Sequence, residues 1–256
     1  MDKKIVMLCS ECFSTTAIYN AVNRNYPIAK VITEEPMRGM ALAKRRLKKL
    51  GWMKVSGQVM FSLVITRILN WFSKRRIAAI KGQYQFDLTP LPAEKLIHIS
   101  SVNDEECIAL LRQLNPDLVL VNGTRIISKK VLESTKAVFI NMHTGITPGY
   151  RGVHGGYWAL VNNEPSLCGV TVHLVDKGVD TGSILYQATI TTTAKDNFVT
   201  YPYLQFGEGI PLINKTVGDF FSGNMKVIPP ASTVSALWYH PGFWQYLFLR
   251  IFKGKK

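Results

Sequence analysis

Acidic residues are missing from a long internal stretch of this chain. Between Glu35 and Asp87 there is no carboxylate, yet twelve lysines and arginines lie there. The net charge is +14, so the rest of the chain nearly balances. Cysteine is scarce too. Cys9, Cys12, Cys107 and Cys168 are too few and too scattered for a disulfide framework. Cys9-Ser10-Glu11-Cys12 has neither a second CxxC nor clustered histidines, so no metal site is expected and the pair reads as two thiols in a strand-to-helix turn. A secretory leader is not expected. Met1-Asp2-Lys3-Lys4 runs into only a short apolar segment, Ile5 to Ser10. These readings point to a reducing cytoplasm. Internal repeats and low-complexity linkers are also lacking, and no Ser or Cys stands in an evident nucleophilic triad.

What is present is an alternation of strands and helices. At 256 residues and 47% hydrophobic content, the chain can bury a full core. Strands are expected over Ile5–Cys9, Ala29–Thr33, Leu96–Ser100, Asp117–Asn122, Val138–Asn141, Cys168–Val175 and Ile184–Ile190. Helices are expected over Ser14–Arg24, Asp104–Leu114, Val153–Asn162 and a short piece after Ser128. Ser14, Thr15 or Thr16 is the expected cap of the first helix. The fold class is α/β, a mostly parallel twisted sheet with helices on both faces.

Two segments stand apart. Residues 38–82 read as a helical insertion: a basic helix over Arg38–Gly51, then Val55–Phe72, apolar almost all round. With Arg67 inside it, that second helix is marginal for spanning a bilayer. Burial, contact with a partner, and seating on a membrane surface are all open to it. Thr200–Ser222 reads as helix broken by turns, because Pro202, Gly207, Gly209 and Pro211 fall within it. The chain then ends in an aromatic-rich tail closed by Lys253-Gly254-Lys255-Lys256.

The chemistry concentrates between Asn141 and Gln187. Two β-branched runs each end in polar residues and then a Gly/Pro-rich loop, and in open α/β sheets ligands sit beyond strand C-termini. Asn141 and His143 share one side of an extended segment. Asp180 follows in the loop after the next strand. An amide donor, an imidazole and a carboxylate that converge suit acyl transfer to an amine. The amide stabilises an oxyanion, the imidazole exchanges a proton, and the carboxylate orients the imidazole. His173 reads as structural.

Asn141-x-His143, the loop Pro148-x-Tyr150-Arg151-Gly152 and Asp176-x-Gly178-x-Asp180-x-Gly182 resemble the formyltransferases that use N10-formyltetrahydrofolate. Asn122-Gly123-Thr124-Arg125-Ile126-Ile127 is similar to the segment whose backbone holds the pterin in that family. The resemblance covers roughly residues 96–190 and implies a Rossmann-like core. It implies Asn141, His143 and Asp180 as catalytic residues. Arg125, Ile126, Ile127, Val175, Asp176 and Gly178 would hold N10-formyltetrahydrofolate, the formyl donor, and Tyr150, Arg151 and His154 would meet the acceptor. For His154, packing or capping stands beside that role.

The Gly-rich phosphate turn of the glycinamide ribonucleotide branch is replaced here by Cys9-Ser10-Glu11-Cys12, which disfavours that acceptor. The segment after the core is shorter than the tRNA-binding domain of the methionyl-tRNA branch. The acceptor expected is therefore the amine of a nucleotide-linked amino sugar, for cell-surface polysaccharide synthesis. Methionyl-tRNA, glycinamide ribonucleotide and water (a formyltetrahydrofolate hydrolase) remain alternatives, as does a membrane-associated folate- or nucleotide-binding module without activity. A nucleic-acid partner is not favoured. The expected organisation is a catalytic domain over 1–190, with the insertion at 38–82, and an extension over 191–256. The expected location is cytoplasmic, peripheral at the inner face of the cell membrane, with an anionic membrane surface or a second copy of the chain as partner.

Overall fold

The structure, a computed structural model, describes residues 3–36, 47, 51–230 and 233–256. The basic helix expected over Arg38–Gly51 lies almost wholly outside the described residues. Runs of Val, Ile and Leu form the central strands β1 (Ile5–Ser10), β2 (Ile28–Glu34), β3 (Leu96–Ile99), β4 (Leu118–Asn122) and β5 (Val138–His143). These five are parallel. After the short β6 (Arg151–Gly152), strands β7 (Gly169–Leu174) and β8 (Ile184–Thr189) join antiparallel. The seven-stranded order is β3-β2-β1-β4-β5-β7-β8.

Period-two alternation along β1 builds a separate core on each face. Ile5, Met7 and Cys9 pack with Ile18 and Val22 of α1 (Phe13–Asn23) and with Ile213 and Val217 of α6 (Tyr201–Ser222). Val6 and Leu8 pack instead with Ile108 and Leu111 of α3 (Glu105–Leu114) and Val131 of α4 (Lys129–Leu132). Between α1 and α3 in sequence lies α2, continuous from Trp52 to Gln83. It has one π-helical turn, where the Thr66 N–H reaches back to the Phe61 carbonyl. Its inner face carries Phe61, Leu69 and Ile80 into a third cluster. That cluster also takes Tyr157 and Trp158 of α5 (Gly155–Val161) and Tyr246 and Leu249 of α7 (Phe243–Lys253). Arg76 of α2 pins the helix through a two-pronged pair with buried Asp196, at 2.8 and 2.9 Å.

Three expectations are corrected. The first helix takes no side-chain cap. The Thr15 hydroxyl donates to the Ser10 carbonyl, and the Asn122 amide donates to Ser14 and Thr15, so these hydroxyls tie the β1 turn to β4. Residue 190 is not a boundary, since α6 shares the core of β1. And α6 is unbroken over twenty-two residues. Pro202 sits in its first turn, where no N–H is needed. Gly207 and Gly209 are there for proximity: a Cβ on Gly207 would lie 2.5 Å from the Tyr84 ring, and one on Gly209 would lie 2.4 Å from Met142 Sδ. Gly209 lets the helix press onto the sheet and Gly207 makes room for the Tyr84 ring at the end of α2, contacts that outweigh a helix cost of about 1 kcal/mol each.

Gly209→Val forces a side chain into Met142 and Val170, whose Cγ2 would lie 2.9 Å away. The expected cost is about 1–3 kcal/mol of stability from overpacking, read as a lower midpoint in chemical denaturation; an unchanged midpoint would refute this account of the glycine.

Candidate active site

The site forms where β5 turns antiparallel to β7. That register sets Asn141 opposite His173 and His143 opposite Thr171. Both Asn141 and His143 face a cavity of about 620 Å³, as period-two alternation requires. The loop after β5 is braced from β7 and β8: Thr171 Oγ1 donates to the Gly145 carbonyl, and Gln187 Nε2 donates to the Thr147 carbonyl. A Cβ on Gly145 would stand 2.6 Å from His143 Nε2 and 2.3 Å from the Tyr150 carbonyl oxygen. Only glycine lets those two groups meet.

They do meet. His143 Nε2 donates to the Tyr150 carbonyl at 2.8 Å, which leaves Nδ1 as the basic nitrogen. Nδ1 stands 3.4 Å from Asp180 Oδ2. Burial pushes the His143 pKa below its ordinary value, and the Asp180 charge only partly opposes that. His143 is therefore neutral near pH 7 and able to accept a proton. Burial would raise the Asp180 carboxyl, but its polar surroundings, with the Gly152 N–H donating to Oδ2 at 3.0 Å, outweigh it and hold the carboxyl at about 2. Asp180 itself adopts a left-handed backbone, φ +51°, uncommon for a residue with a side chain.

His173 is not merely structural. Its Nδ1 donates to the Leu174 carbonyl at 2.7 Å, so Nε2 faces the Asn141 amide at 3.2 Å and Asp180 Oδ1 at 3.6 Å. It fixes the Asn141 amide, and it lines the cavity beside Asn141, His143 and Asp180.

The cavity has two sides. One is made by Val121–Ile127 and by Val175, Asp176, Gly178 and Val179. Arg125 turns its guanidinium away from this wall, to buried Glu34 at 3.1 Å and to the carbonyls of Ser100 and Glu35. Its backbone N–H also bonds Glu34, so that buried carboxylate sets the loop and leaves Ile126 bare at the wall. Peptide groups flanked by Ile and Val suit a flat heteroaromatic ring with a hydrogen-bonding edge. The donor's pterin fits that description. Among the described residues, no cluster has the composition of a metal site.

The second side comes from Gln58 of α2, Val153, and Leu237 to His240, including β9 (Leu237–Trp238) paired with β6. Tyr150, Arg151 and His154 were the expected acceptor contacts; the structure commits Tyr150 and Arg151 elsewhere and gives His154 the packing role that stood beside it. Tyr150 is buried, with its hydroxyl bonded to Glu164. Arg151 Nη1 donates to the Val179 carbonyl at 3.0 Å, behind the wall. His154 packs on Phe198 and His240, and burial lowers its pKa to about 3. None of the three lines the cavity. Trp238, Tyr239 and His240 were hidden in the tail because only the β6–β9 pairing brings them back.

Residues 51–202 match the sequence profile of the family described as Formyl transferase. The chain belongs to that family. Among curated relatives, the methionyl-tRNA formyltransferase of Thermodesulfovibrio yellowstonii is 34% identical over 141 residues, 55% of this chain and 44% of that protein. The chain thus spans less than half the length of that relative. Among solved structures, a sugar N-formyltransferase from Shewanella sp. superposes with TM-score 0.56 at 17% identity, over 90% of this chain and 74% of the other. A phosphoribosylglycinamide formyltransferase from Streptococcus pneumoniae gives TM-score 0.55 at 20% identity, over 86% and 99%. These two likenesses carry the formyl transferase fold, not an acceptor.

The electrostatics predict how His143 titrates. Its midpoint should lie below the ordinary histidine value of 6.5. Asp180→Asn removes the charge that raises it, so the midpoint should fall further. NMR titration of the imidazole reads both shifts. A midpoint that rises in the Asp180→Asn protein would overturn the assigned electrostatics.

Proposed function

We propose that the chain transfers the formyl group of N10-formyltetrahydrofolate to the amine of a nucleotide-linked amino sugar. The observation that carries the reading is the neutral, buried His143 between the Tyr150 carbonyl and ionised Asp180, with Asn141 on the same side of the strand. The donor supplies the formyl carbon. Attack by the amine puts negative charge on the formyl oxygen, and the free N–H of the Asn141 amide is the donor for it. The amine must lose a proton, and His143 Nδ1 is the basic nitrogen at hand. A proton arriving there creates an imidazolium beside Asp180 Oδ2, an ion pair in a buried site. The leaving nitrogen of the donor takes the proton back.

The acceptor class rests on the second side of the cavity. Trp238, Tyr239 and the polar side chain of Gln58 line that side, a set suited to a sugar and its nucleoside. The α1 N-terminus offers little to a phosphate, because its hydroxyls are bound by Asn122 and Glu11 adds a negative charge. That favours an acceptor other than glycinamide ribonucleotide. A product of this class would enter cell-surface polysaccharide synthesis. The methionyl-tRNA name of the curated relatives makes that tRNA the second reading.

Purified protein with N10-formyltetrahydrofolate should form a formamide on nucleotide-linked 3-amino or 4-amino sugars and spare glycinamide ribonucleotide and methionyl-tRNA. Formylation of methionyl-tRNA alone would refute the sugar reading. With the accepted substrate, His143→Ala and Asn141→Ala should each lower kcat by at least ~10²-fold while folding persists. Near-normal turnover in the His143 variant would remove it from the mechanism.

A further inference from the structure

A second stretch of this chain is free of acid. No carboxylate follows Asp219, and that segment carries five lysines and arginines. Together with the stretch between Glu35 and Asp87, it holds seventeen basic residues and no acidic one. Everything else holds fourteen basic against seventeen acidic. The fold brings the two acid-free stretches together. Their helices α2 and α7 meet through the Phe61 and Tyr246 rings, with centroids 5.1 Å apart.

The outer faces of both helices are bare. On α2, Val64, Ile68 and Phe72 recur at four-residue spacing, with Leu63 and Trp71 beside them, and all five are exposed. On α7, Trp244, Phe248 and Phe252 do the same. Phe72 and Phe252 keep 72% and 73% of their surface in contact with solvent. Lys54, Arg67, Lys74 and Arg75 on α2, and Arg250 and Lys253 on α7, are exposed along the same helices. Rows of apolar side chains with cations along them, on stretches that carry no acid of their own, match one chemistry: a layer of apolar chains under anionic headgroups.

We infer that α2 and α7 form an interfacial docking surface for an anionic lipid bilayer. The helix lies on the bilayer rather than across it. Although α2 is long and apolar enough to span, its inner face is committed to the protein through Phe61, Leu69 and Ile80, and Arg76 is held by Asp196. The same helix walls the cavity: Gln58 lines it and donates to the His240 carbonyl at 2.9 Å. Docking therefore sets the mouth of the site close to the membrane plane. The inference goes beyond the acceptor reading and does not depend on it.

The test is co-sedimentation of the full-length protein with vesicles, in the absence of donor and acceptor. Binding is expected to vesicles containing phosphatidylglycerol at 0.1 M salt and to be largely lost at 1 M, where the Debye length drops from about 10 Å to about 3 Å. Lys74→Glu with Arg75→Glu should weaken partitioning by at least ~25-fold, about fivefold for each cation removed. Trp71→Ser with Phe72→Ser, and separately Trp244→Ser with Phe252→Ser, should weaken binding to the same vesicles while leaving the melting profile unchanged. Equal binding to pure phosphatidylcholine vesicles, or no binding at low salt, would overturn the inference. So would sedimentation velocity showing a lipid-free dimer that the ring replacements dissociate, because a second copy would then cover the face.

Discussion

The candidate site depends on keeping one carboxylate ionised where water is scarce. Asp180 is nearly buried, and burial alone would drive it toward the neutral acid. A peptide N–H donates to it and two imidazoles lie against it, and each comes from a different element. His143 ends β5, His173 lies in β7, and Gly152 belongs to β6. The carboxylate is therefore a junction where groups from three strands meet. The left-handed backbone at Asp180 is tolerated because so many groups converge on it.

The sequence made much of this arrangement legible, for reasons that can be named. Strand runs such as Leu118–Asn122 have no competing periodicity, and Asn141 and His143 share a face by geometry alone. Asp180 was visible through its glycine-rich loop. His173 was not, because its place opposite Asn141 follows from an antiparallel pairing of β5 with β7 that no local signal encodes. The second side of the cavity was hidden for a similar reason. Tyr150, Arg151 and His154 sit in a striking loop by composition, yet that loop turns inward and spends its polar groups on Glu164, Val179 and His240. The aromatic wall comes instead from a segment some ninety residues later, carried back by two residues of β9.

Glycine and proline misled in the other direction. In α6 they look like interruptions, and by propensity they are. The helix keeps them because sheet contact is worth more than propensity, and because its first proline needs no donor. Glu34 teaches a related lesson. A buried glutamate at the end of β2 reads as an anomaly until its bonds are followed to Arg125, where it shapes a wall of the cavity without touching it.

The π-helical turn of α2 makes that helix sensitive to its own length. Above Phe61 the helix packs through Val55 and Gln58, and below it through Leu69, Ser73 and Ile80. The wide turn holds one residue more than an ordinary turn would, and it is what puts both sets on the same side. Deleting a single residue from Phe61–Ile65 would restore regular hydrogen bonding yet rotate the lower half by about 100°. Leu69 would swing outward and Arg76 would leave Asp196. The turn works as a phase joint: it lets one helix serve the cavity at its upper end and the ion pair at its lower end, and it ties both duties to an invariant residue count between them.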